Sequence, residues 1–139
     1  MVGVKQRDGA VVAQHISDTT APTLQGFIGA NVSHGAIVYT DNFKSYKGLK
    51  GYTHLSVNHS IGEYVREQAH TNGIESFWAL LKRGYYGIYH HMSHKHLHRY
   101  VGEFSYRHNT AKIGTMQFID ATARRMENKR LTYKELTRA

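Results

Sequence analysis

Three residues have the types and spacing to do chemistry together: Asp41, Glu75 and Lys82. Asp41 follows the short apolar run Ala36-Ile37-Val38-Tyr39 and Thr40. Such a run predicts a buried strand, and ligands of α/β sheets gather outside the carboxyl ends of strands. A carboxylate there is well placed for catalysis; capping a helix that starts at Phe43 is its plainer job. Glu75 and Lys82 fall two turns apart on one predicted helix, roughly 10 Å along its axis. That is too far for a strong ion pair. It suits a carboxylate that binds a metal and a lysine further along that touches a substrate phosphate. A solvated charged stripe beside a core stripe is the plainer account of the same spacing.

A second group lies downstream. His90, His91, His94, His96 and His98 form a dense cluster, with His90/His94 and His94/His98 at the i, i+4 spacing that a helix would need for zinc. No nearby carboxylate or cysteine completes a set. We expect these histidines, with Lys95, Arg99 and Arg107, to face the phosphates of a polyanionic partner. Tyr85, Tyr86 and Tyr89 are interleaved with Arg83 and His90, and could stack on unpaired bases or pack within the protein.

Several elements must position these side chains. Val2, Val4, Val11, Val12 and Ile16 flank Asp8-Gly9, which predicts a hairpin with a tight primed turn. Thr19, Thr20 and Pro22 mark a helix start, and Leu24, Phe27 and Ile28 carry that helix to about Val32. The strand ending at Thr40-Asp41 follows, then a short helix over Phe43–Leu49 and a strand around Leu55 and Val57. Asn58 to Thr71 reads as a loop. In the next helix, from about Asn72 to Arg83, Ile74, Phe77, Trp78 and Leu81 form one buried stripe and Glu75, Ala79 and Lys82 an adjacent one. A glycine-tyrosine-histidine link leads to a helix over Ser93–Asn109. One or two amphipathic helices fill Thr115–Arg138. This order argues for a mixed α/β sheet with helical cover.

With 139 residues the chain fits one domain with a real core. It has no cysteine, which removes disulfides and thiolate metal sites. No apolar run approaches the roughly 20 residues that span a bilayer, and no signal-peptide pattern opens the chain. We therefore expect a cytoplasmic protein. The formal charge is +8, with lysine and arginine concentrated from Lys82 to Arg138. A basic half of this kind is the footprint of a polyanionic partner.

Three long motifs carry a resemblance. They are Thr40-Asp41-Asn42-Phe43-Lys44-Ser45-Tyr46; His70-Thr71-Asn72-Gly73-Ile74-Glu75-Ser76-Phe77-Trp78-Ala79-Leu80-Leu81-Lys82-Arg83-Gly84; and His96-Leu97-His98-Arg99-Tyr100 through Glu103-Phe104 to Arg107-His108-Asn109. Together with Val57-Asn58-His59-Ser60 and Lys129-Arg130-Leu131-Thr132-Tyr133, they resemble the ISXO-like insertion-sequence transposases of the DDE superfamily. The resemblance implies a ribonuclease-H-like α/β fold and a polynucleotidyl transferase. Such an enzyme cleaves and joins DNA at insertion-sequence ends through two Mg²⁺ (or Mn²⁺) ions. On this basis Asp41 and Glu75 match the second and third acidic residues and are the metal ligands. Asn72 is a rival or helper for the third position, and Lys82 is the lysine that follows it. Lys82, Arg83, Lys95, Arg99 and Arg107 would bind DNA.

The first catalytic aspartate of such proteins lies in an Asp-Glu-Thr-Tyr-like strand that this sequence does not contain. Ala111 and Gly114 stand where relatives carry arginine and aspartate. Residues 1–139 therefore read as one partial, N-terminally truncated transposase catalytic domain with its first strand missing. Little or no strand transfer is expected. The alternative is a non-catalytic DNA-binding remnant that interferes or assembles with a full-length transposase, or forms a homo-oligomer, in the bacterial nucleoid. A metal-dependent nuclease of similar fold would need a replacement carboxylate such as Asp18.

Overall fold

The computed structural model describes residues 1–57 and 72–137. The expected loop over 58–71, with the motif residues His59, Ser60, His70 and Thr71, lies outside them. Strand β1 (Val2–Lys5) pairs antiparallel with β2 (Val11–Gln14), Val2 opposite Gln14 and Lys5 opposite Val11. Residues 6–10 close the hairpin through Gln6 N–H to Ala10 O (3.0 Å) and Gly9 N–H to Gln6 O (3.1 Å). The tight two-residue turn expected at Asp8-Gly9 is thus replaced by a longer loop, with Asp8 left-handed at φ 54°. The reason is register. A two-residue turn would pair Arg7 with Ala10 and flip Val11 and Ala13 onto the face of Val2 and Val4. In the observed register, Val2 and Val4 face helix α1 while Val11 and Ala13 pack with the later helices.

Helix α1 (Ala21–Asn31) begins with Pro22 in its first turn and buries Leu24, Phe27 and Ile28. Thr20 does not cap it with its side chain; its hydroxyl donates to Asp18 instead (2.6 Å). Strand β3 (Ile37–Thr40) pairs in parallel with β4 (Thr53–Ser56). Between them, the helix expected over Phe43–Leu49 shortens to one 3₁₀ turn, Lys44–Tyr46. Leu24 and Phe27 pack with Val2, whereas Ile28 packs with Val38 and Leu49. Val4 touches both clusters, so α1 links the hairpin to the second sheet. Among the described residues the strands form two two-stranded sheets, not the single mixed sheet expected. β1 and β3 share a core across α1 without a common ladder. The architecture is mixed α/β.

Helix α2 (Asn72–Gly84) realises the predicted stripe: Phe77 and Leu81 are buried, with Ile74 and Trp78 packed beside them. Gly84 does not break it. The chain stays helical there (φ −61°, ψ −42°) and continues into a π-helical turn over Tyr85–Tyr89, which ends at left-handed His90. Gly84 is glycine because the Phe104 ring lies where a Cβ would stand. Helix α3 (Leu97–Thr110) supplies that ring together with Val101. Helix α4 (Thr115–Met126) leans on α3 through Thr122 and the Tyr106 hydroxyl (3.0 Å), and short α5 (Tyr133–Thr137) follows. Among the described residues no helix is long and apolar enough to cross a membrane.

Candidate functional site

Asp41 emerges from β3 on a pinned backbone. The buried Thr40 hydroxyl donates to the Asp41 carbonyl (2.7 Å) and lies 2.8 Å from His54 Nε2. The Asp41 side chain is exposed, and its Oδ1 accepts the Phe43 N–H (3.2 Å). Capping the turn occupies one oxygen of a carboxylate that has two, so the cap and a ligand role are compatible. Burial first, and the Asp41 charge second, raise the Tyr46 phenol above its ordinary range. Thr40 and His54 were missed by sequence reasoning. Their signal is the parallel register that sets Val38 beside His54, which no local pattern reveals.

The seat of α2 explains where Glu75 and Lys82 go. Burial of Phe77 and Leu81 forces Asn72, Glu75, Lys82 and Arg83 outward, and all four are exposed. Among the described residues Lys82 and Arg83 make no ion pair or hydrogen bond. At the other end, the side chain of Lys5 lies against Gly73, 3.0 Å from where a Cβ would stand. Two residues on, the Arg7 guanidinium lies over the Tyr39 ring, 5.9 Å from its centroid. The end of β1 therefore touches the first turn of α2, and the hairpin loop touches the strand that leads into Asp41. Lys5 and Arg7 bring positive charge to this end, another feature the sequence reading passed over. Lys5 Nζ lies 3.4 Å from His108 Nε2. Burial, and then the Lys5 charge, lower the His108 pKa.

Among the described residues no three histidine or acidic side chains converge as a metal-binding group. Asp41 and Glu75 alone do not fit a pair of divalent ions. Asp18 is engaged elsewhere: it accepts from Thr20 O–H (2.6 Å), Thr20 N–H (3.0 Å) and Ser17 O–H (3.1 Å). The Thr20 hydroxyl above all holds its carboxyl well below the usual range. It shapes the entry to α1.

The remaining cations are divided. Lys95 Nζ donates to Thr137 O (2.9 Å) and Arg99 to Glu135 O (3.4 Å), so both hold α5 against the start of α3. Arg107 pairs with Glu103 one turn away (3.0 Å). An exposed pair of that kind is worth little. Tyr89 belongs to the packing: its hydroxyl donates to Glu103 (2.7 Å) and its ring meets Tyr100 at 4.8 Å. Tyr86, 72% exposed, is the tyrosine of that run with its ring open to a partner. The helical His90/His94 spacing is not realised, because His90 ends the π-helical turn and His94 opens a separate 3₁₀ turn.

Comparison with known proteins adds a family. The family described as ISXO2-like transposase domain matches residues 1–109. The chain is 30% identical over 100 residues to a protein of Haemophilus influenzae described as an uncharacterized transposase-like protein, covering 70% of this chain and 80% of that one. No solved structure matches.

Proposed function

The chain belongs to the family of ISXO2-like transposase domains, and from that premise we propose that it engages DNA in transposition without transferring strands by itself. The observation that carries this reading is the outward pair Lys82 and Arg83, about two turns beyond Glu75 on a helix whose other face is core. Two adjacent cations with no competing partner among the described residues suit the phosphate backbone. Lys5 and Arg7 extend positive charge toward Asp41, and Tyr86 offers a ring for an unstacked base.

Asp41 and Glu75 are the two carboxylates of a polynucleotidyl-transfer site in this reading, with Asn72 the alternative to Glu75. Asp41 and Glu75 would contribute to holding Mg²⁺ or Mn²⁺ there, and a bound ion would supply charge stabilisation for phosphoryl transfer. The described residues supply two carboxylates with no third beside them, so chemistry needs a carboxylate from elsewhere. β1 and β3 share no ladder among the described residues, and the ribonuclease-H-like sheet that the family resemblance implies would carry that carboxylate on a further strand. A full-length transposase assembled with this chain is the partner that would supply a complete site, and the bacterial nucleoid is where both would work.

The purified chain, incubated with Mg²⁺ or Mn²⁺ and DNA bearing insertion-sequence ends, is expected to give no cleaved or joined product. Product that disappears on Asp41→Ala substitution would overturn this and show the chain to be catalytically sufficient.

A further inference from the structure

His15, just past the end of β2, meets His94 in the turn that leads into α3, a contact between segments 79 residues apart. Their Nε2 atoms are 3.1 Å apart, the ring centroids 4.5 Å apart, and the ring planes nearly perpendicular at 88°. A hydrogen bond between two imidazoles prefers an in-line arrangement, which at this length would hold the centroids about 5.4 Å apart. The rings instead lean toward a common point.

With metal–nitrogen bonds of about 2.0–2.1 Å, two neighbouring ligand nitrogens lie about 2.9 Å apart at a right angle and about 3.3 Å apart at the tetrahedral angle. The observed 3.1 Å falls between them. Centroids of two rings that share one ion would stand about 4.8 Å apart by the same bond lengths, close to the separation seen. We propose that His15 and His94 form a two-histidine site for a divalent transition ion of the zinc, nickel or copper class, which staples the hairpin to α3. Water fills the other positions, because among the described residues no third histidine or acidic side chain completes the group.

Chemistry and placement support the staple. Both side chains are neutral-capable imidazoles whose Nε2 atoms already stand at the spacing of two ligands on one ion. Position gives the site a purpose. β2 is already held to α3 at its start, where Asn109 accepts the Val11 N–H (2.8 Å) and donates to the Val11 carbonyl (2.9 Å). A metal at His15 and His94 would fasten the opposite end of the strand. It lies outside Asp41 and Glu75 and does not depend on the transposition reading.

The test is thermal unfolding of the full, untagged chain against Zn²⁺ concentration, with an EDTA reference, and calorimetric titration for stoichiometry. One ion per chain is expected, with an unfolding midpoint that rises with Zn²⁺. His15→Gln and His94→Gln should each weaken binding at least about tenfold and abolish the midpoint rise. His91→Gln should leave both intact. Circular dichroism in EDTA identifies any variant that fails to fold, and His15→Asn with His94→Asn replaces such a variant. No saturable binding, or binding unchanged in folded His15 and His94 variants, would overturn the proposal.

Discussion

Replacing Phe77 by alanine is expected to lower the free energy of unfolding by about 3–5 kcal/mol. Phe77 is 0% exposed and lies among Val11, Leu81, Val101 and Phe104, with ring contacts to Trp78 at 5.0 Å and His108 at 5.7 Å. It is where α2, α3 and the hairpin meet. Removing the ring loses its transfer free energy and leaves a cavity that three elements cannot close together. Domains of this size hold only about 5–15 kcal/mol in all, so the variant would be marginal. The same seat turns Glu75 and Lys82 outward, so loss of DNA affinity should accompany loss of stability. Urea unfolding followed through Trp78, the one tryptophan of the chain, reads the first effect. A loss below about 1 kcal/mol would mean that Phe77 is not the centre of the core.

Asn109→Ala should cost nearly as much, about 2–4 kcal/mol, although it removes a small polar side chain. Asn109 satisfies both backbone groups of Val11, whose residue is 1% exposed. Alanine would leave a buried N–H and a buried carbonyl without partners, and each unsatisfied group costs about 1–3 kcal/mol. Asn109→Asp separates this from simple loss of contact. A carboxylate still accepts the Val11 N–H but cannot donate to the Val11 carbonyl, so an intermediate loss is expected. Equal losses for alanine and aspartate would show that the hydrogen bonds are not the cause. In the motif that carries the resemblance, Asn109 thus secures β2 to α3.

What was legible in the sequence was local and periodic. The stripe Ile74, Phe77, Trp78 and Leu81 fixes the inward face of α2, and with it the outward course of Glu75 and Lys82. The apolar run before Thr40-Asp41 marks β3 for the same kind of reason. What was not legible depends on neighbours remote in the chain. The hairpin was visible, but its register was set by which valines the later helices could cover. Gly84 looked like a break; its reason is the Phe104 ring, a contact no window around Gly84 contains. Lys95 and Arg99 looked like free cations until α5 supplied its carbonyls. Charge is readable from a sequence; the partner of a charge is not.

The proposed binding of DNA phosphate by the outward cations of α2, independent of the carboxylates, is tested by titrating a short fluorescent duplex with the purified chain across salt concentrations. Affinity should fall linearly in log–log form as salt rises, and the combined change Lys82→Ala and Arg83→Ala should reduce the magnitude of that slope by about 2. Asp41→Asn and Glu75→Gln should leave binding in place. Affinity indifferent to salt, or a double variant with an unchanged slope, would contradict the account.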